Sequence, residues 1–267
     1  MDLKTLKDPP PWEWPRGTAE VLLEVLRDNR AGQSDRLLAA ELAGDYTVIN
    51  DALADALLSI LSNGDEPERV RAQAVISLGP AIEQAYIEDF EDPDDVPITE
   101  PMFRRIQETL PRLYRDARVP KEVRRRILEA SVRAPEDWHR DAVRAAYSSD
   151  DEDWNLTAVF CMRFIRGFDD KILESLDSKK PDIHYEAVCA AGNWEVDAAW
   201  PHIAGLATAE ETDKSLRLAA IETVAAIRPQ EAAEILLRLI DSDDEEIVDA
   251  AYEAMGTAQV FSEEEDE

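Results

Sequence analysis

Two cysteines in 267 residues are too few for a disulfide scaffold and supply no cluster of thiols for a structural metal. Glycine is scarce, at nine residues, and no G-x-x-x-x-G-K-[ST], G-x-G-x-x-G or G-x-S-x-G occurs, so phosphate cradles and hydrolase elbows lack their minimal support. No run of about 18 apolar residues exists, and Met1 to Pro10 has no apolar signal core, so a cytoplasmic protein without membrane contact is expected. Basic residues are few: 29 lysines and arginines against 59 aspartates and glutamates leave a net charge of −30. That balance opposes direct nucleic-acid binding, which depends on cations displacing counterions, and opposes adhesion to anionic lipid. The three histidines are not spaced i, i+4 as in a zinc helix. The acidic clusters at Ser149 and Asp241 lack the glycine and glutamate of a calcium loop, and they fall where helices start, so they read as caps. No metal, cofactor or catalytic residue is expected, and the chain reads as a non-enzyme.

What is present is 45% apolar content, too much for a disordered chain and enough for a sizeable core. The charge is uneven. Met102 to Arg133 holds ten basic and four acidic residues, net +6, while Glu83 to Glu100 holds eight acids and no base. Pairing of the cationic stretch within the chain and a solvated acidic surface form the plain reading of this pattern.

A repeat organises the sequence. Ten-residue windows starting at Asp35, Val70, Val123, Trp154, Ile183, Leu216 and Ile247 carry alanine at position four in six of seven cases, counting the first residue as zero. Position five is apolar throughout, or tyrosine at Tyr252, and position seven is mostly small. Apolar residues at zero, four, five and eight mark one helix face, and no window alternates as a strand would. A second helical pattern precedes each window: 18–27, 49–61, 102–115, 137–147, 169–176, 197–207 and 230–240. Ser149 with Glu152 and Ser242 with Glu245 have capping-box spacing. A lone helix pair cannot bury its apolar face, so the pairs are expected to stack. The expected fold is an all-α solenoid of about seven antiparallel helix pairs over 18–258, with an acidic insertion at 80–101. A proline/tryptophan-rich cap at 1–17, packing Trp12 or Trp14 over the first pair, and a disordered acidic tail at 259–267 complete it. The proline run also admits a partner-binding polyproline segment.

The windows resemble the second helix of HEAT repeats, most of all the bacterial PBS-lyase HEAT-like type. Arg36, Arg71, Arg124 and Arg217 stand at the phase where that family carries arginine. The resemblance implies a structural ladder in which these arginines pair with carboxylates of neighbouring turns, and a bacterial, protein-binding scaffold. His184, at the same phase, reads as a hydrogen-bonded substitute for arginine. Asn155 at that phase, and Val132 and Arg163 where a terminal glycine is the pattern, depart from the family.

If second helices line the concave side, as the resemblance implies, Arg125, Arg126, Leu156, Phe160, His184 and Tyr185 form a basic-aromatic strip. It would suit an acidic or amphipathic protein or peptide, bound by a monomer. Packing between helices is the plainer use of the same side chains. Trp194, Trp200 and His202 are the densest aromatic group, readable as inter-helix filler or as a ligand pocket. Cys161 and Cys189 read as small core or near-core residues. Two further functions stay open: a bilin lyase-like or chromophore-handling protein, from the repeat's name, and an acidic nucleic-acid mimic that binds a basic protein.

Overall fold

The computed structural model describes residues 2–90, 92 and 95–264, with the side chains of 257–264 left aside. The chain forms two compact units, Met1–Ala142 and Val143–Glu267. The first holds α1 (Thr18–Arg27), α2 (Gln33–Leu42), α3 (Asp51–Ser62), α4 (Glu68–Ile76), α5 (Gly79–Glu88), α6 (Glu100–Arg115), α7 (Lys121–Ser131) and the start of α8 (Asp137–Tyr147). The second holds the rest of α8, then α9 (Glu152–Cys161), α10 (Asp169–Leu176), α11 (Pro181–Asn193), α12 (Trp200–Thr208), α13 (Lys214–Ile227), α14 (Pro229–Leu239) and α15 (Glu245–Glu264). No strand occurs among the described residues.

Each unit is a stack of antiparallel helix pairs in two layers. In the first, α2, α4 and α7 lie side by side, as do α1, α3 and α6. In the second, α9, α11, α13 and α15 form one layer, and α12 packs on α14. The position-four phase is the reason. Ala39, Ala74, Ile127, Ala158, Ala187, Ala220 and Ala251 are all fully buried, so a small side chain sits where two helices approach most closely. Position seven is buried in every window as well. Position nine of one window faces position seven of the next. A Cβ on Gly44 would lie 2.6 Å from the Ser77 carbonyl oxygen, and one on Gly192 would lie 3.1 Å from the Thr223 side chain. The terminal glycine of the pattern is therefore a point of helix contact.

The arginine phase also has a local cause, and it differs from the expected carboxylate ladder. Arg71 Nε donates to the Leu61 carbonyl at 2.9 Å, Arg217 Nε to Ala207 at 3.1 Å, and Arg36 Nη2 to Leu26 at 3.2 Å. Asn155 substitutes through its amide, at 2.9 Å from the Tyr147 carbonyl. Each acceptor ends the preceding helix, where carbonyls lack intrahelical partners and the helix dipole favours a cation. Arg36 also has a close carboxylate partner, Glu66, at 2.5 and 2.8 Å. The caps shift too: Asp151 and Asp244, not Ser149 and Ser242, accept from the first-turn amides of α9 and α15, and the serines close the turns before them.

Residues 2–17 cover the outer side of the first pair. Leu3 and Leu6 are buried, Trp14 Nε1 donates to the Leu6 carbonyl at 2.9 Å, and Trp12 stays 77% exposed. The segment contains a 3₁₀ turn at Pro11–Glu13. Within the insertion, α5 is a helix of its own, and Val96 and Ile98 are buried anchors. Residues 91, 93 and 94 of the acidic loop lie outside the described residues. Helix α15 carries the backbone into the segment expected to be a tail, of which 265–267 lie outside the described residues.

Candidate functional site

Most of the +6 stretch is spent within the chain. Arg104 pairs with Glu100, Arg105 with Asp55, Arg118 with Asp116 and Arg133 with Glu83, while Arg115 lies 5.7 Å from the centroid of the Trp138 ring. Arg125, expected to face a groove, is only 4% exposed. It bonds Glu122 at 2.7 Å and approaches Glu129, itself buried, at 3.9 Å. Arg126 reaches the surface with 38% of its side chain but is held by Glu122 at 2.8 Å and Glu129 at 2.6 Å. The helix register explains this. Glutamates three and four residues from each arginine lie on the same face and neutralise it.

A groove does exist on this layer. Leu37 of α2, Ala72, Gln73 and Ile76 of α4, and Glu122 and Arg126 of α7 line a hollow of about 570 Å³, with Arg69 at its edge. Apart from Glu122 and Arg69, each one residue before its window, the lining is at positions two, three and six, the phases expected to face a concave side. Arg69 is exposed and makes no ion pair among the described residues. Gln73 and Ile76 also border a second hollow of about 530 Å³, lined by Leu6, Pro9, Pro11, Trp14, Leu42 and Pro80 among others. The two hollows therefore adjoin within the first unit, floored by apolar side chains. Sequence patterning carried the signal in Leu37 and Ile76, two apolar residues off the buried face, but charge drew attention to Arg125 instead.

In the second unit, Leu156 and Phe160 stand at positions two and six of α9, and Tyr185 at position two of the adjoining α11. Phe160 packs its ring 5.5 Å from Phe164, and Arg163 links the two helices through Glu186 at 3.2 Å. His184 leaves this face: its Nε2 lies 3.0 Å from His202 Nε2 on α12, so one imidazole donates and the other, neutral, accepts. Burial, then the neighbouring His202, push the His184 pKa down. The aromatic group expected as a pocket is dispersed. Trp194 donates to the Met162 carbonyl at 2.6 Å beneath Arg166, Trp200 lies under Arg228, and His202 meets His184. The Trp194 indole N–H is thus met by a carbonyl and His202 Nε2 by His184, while Trp200 offers its ring face to Arg228. A hollow of about 500 Å³ lies elsewhere, between Arg144 and Tyr147 of α8 and Gly167 to Lys171 at the start of α10. No sequence motif marked it.

Groups of catalytic type are committed to structure. His139 is fully buried, its Nε2 2.9 Å from Ser131 Oγ and its Nδ1 accepting from the Glu136 amide, and desolvation lowers its pKa to about 4. Cys161 is buried, and burial raises the Cys189 thiol above its ordinary range, opposite to an activated nucleophile. Among the described residues no three His, Cys, Asp or Glu side chains gather as a metal site. No helix of the described residues is long and apolar enough to cross a membrane.

Stacked helix pairs with a recurring small-residue phase give an all-α architecture of α-solenoid type, similar to HEAT and armadillo repeats. The family model described as HEAT repeats matches residues 170–256. Among curated proteins none matches the sequence. Solved structures similar to it include the Escherichia coli protein YibA, at 14% identity and TM-score 0.46, covering 95% of this chain and 90% of that one. Human deoxyhypusine hydroxylase is similar at 16% identity and TM-score 0.42, over 96% of this chain and 88% of its own. A designed armadillo repeat protein matches at 15% identity and TM-score 0.33, over 89% and 98%.

Proposed function

We propose that this chain is a non-catalytic interaction scaffold whose groove over α2, α4 and α7 holds a segment of a protein partner. The observation that carries this reading is the pair of adjoining hollows with an apolar floor at Leu37, Ala72 and Ile76 and an unpaired Arg69 at the rim. An apolar floor with a polar rim is the anatomy of a docking surface. The partner segment is amphipathic, with a carboxylate to meet Arg69; the wider basic strip plays no part, because Arg125 is buried and Arg126 neutralised. The burial of His139 and Cys161, and the raised pKa of the half-buried Cys189 thiol, support a scaffold over an enzyme. The finer assignment to the bacterial PBS-lyase-like subtype belongs to this reading and rests on the arginine phase.

The test is a photo-crosslinking residue placed at Gln73, with the exposed Arg104 as a control position, in native cytosol followed by mass spectrometry. A discrete adduct at Gln73, absent at Arg104 and lost in Ile76→Asp, is the expected result. The same adducts at both positions remove the groove from consideration.

A further inference from the structure

Helix α15 has the sequence of a helix that receives a neighbour, and among the described residues its outward face has none. Three register positions say so independently. Position five is fully buried in the other six windows, at Ala40, Val75, Leu128, Val159, Val188 and Ile221, yet Tyr252 is 58% exposed. Position nine is a glycine that meets the next repeat at Gly44, Gly79 and Gly192, where an added Cβ would lie 2.6 to 3.1 Å from another side chain or backbone; at Gly256 it would meet nothing within 4 Å. Ten residues before each window, the first-layer helix carries Val25, Ile60, Leu113, Leu173 and Leu206, each buried or half-buried; only Arg144 breaks that series. The last member, Leu237, is 52% exposed.

Charge decides what fits. Residues 229–256 hold nine acidic residues against Arg238 alone, a net of −8. Glu234 and Asp241 flank Leu237, and Asp249 and Glu253 flank Tyr252, all of them exposed. A second copy would bring an equal negative charge to the same face, which repels it. Nucleic acid and anionic lipid are opposed for the same reason. A cationic, helical protein segment is favoured by both the register and the field.

We propose that the outward face of α14 and α15 docks a single amphipathic helix of a partner protein. That helix has an apolar stripe with a small residue against Gly256, and lysines or arginines on its flanks. This surface lies in the second unit and does not depend on the groove of the first.

Three synthetic helical peptides of about 18 residues, long enough to hold a helix when bound, test it by fluorescence anisotropy. The first has a leucine/alanine stripe flanked by lysines, the second the same composition with the stripe scrambled, and the third the stripe flanked by glutamates. The first should bind at least tenfold more tightly than the others. Gly256→Leu, which fills the seat, and Tyr252→Asp should each weaken it about tenfold, with cooperative thermal melting retained because both positions are exposed. Equal binding of the scrambled peptide would reduce the effect to general attraction and overturn the proposal. So would unchanged affinity in both variants, no binding at all, or sedimentation showing a dimer that Gly256→Leu dissolves, which would make the occupant a second copy.

Discussion

The pair α1/α2 and the pair α14/α15 are built on one pattern and end in opposite circumstances. Residues 2–17 fold back over the first, burying Leu3 and Leu6 and fixing Trp14 by a hydrogen bond. The outward face of the second keeps Leu237 and Tyr252 in solvent. A repeat's apolar phase is thus a core contact only where another element arrives to cover it. The same letter of the motif is interior at Ile221 and surface at Tyr252, and its energetic worth changes accordingly.

The largest expected contrast is between those two residues. Ile221→Ala should cost about 4 kcal/mol, from lost burial plus the cavity left behind, while Tyr252→Ala should stay within about 0.5 kcal/mol, as surface substitutions do. Urea denaturation measures both, and comparable losses would mean that the α15 face is covered in solution.

Acid should separate the two units next. His139, in the first unit, has its pKa lowered by desolvation to about 4 from 6.5, so the unfolded chain binds the proton more readily. Its contribution is complete above pH 6.5 and is lost as the pH falls toward 4, by roughly 3 kcal/mol. The second unit has no histidine buried to that degree; His184 and His202 are both half-buried. Fluorescence of Trp138, whose ring lies 3.9 Å from that of His139, should report the loss, and His139→Phe should flatten it. A pH profile identical in wild type and variant would remove His139 as the cause.

The smallest contrast compares the two glycines of the repeat. Gly44→Ala forces a methyl against the Ser77 backbone and should cost about 2 kcal/mol. Gly256→Ala, with open space around it, should instead stabilise slightly, by up to about 1 kcal/mol of helix propensity. Thermal melts of the two variants decide this, and a destabilising Gly256→Ala would show a neighbour already in place.

Much of the fold was legible because helix pairing writes a periodic signature. Helices α1, α8 and α10 span 18–27, 137–147 and 169–176 as their periodicity predicts, and the alanine phase is buried in every window. The candidate site was legible only in part. Arg126, Leu156, Phe160 and Tyr185 reach partly exposed faces, but Arg125 is interior and His184 turns to His202. Charge content along a sequence does not say whether a glutamate one turn away has already neutralised an arginine.

By itself, then, the order of residues determined the helical pairs, the phase at which they nest and the strongly negative surface, because each follows from local periodicity and composition. Tertiary structure alone decided that the arginine phase holds helix-end carbonyls, that the groove is floored by Leu37 and Ile76, and that Tyr252 and Leu237 face water. Those outcomes depend on which element lies across each face, and that is a contact between residues far apart in the chain.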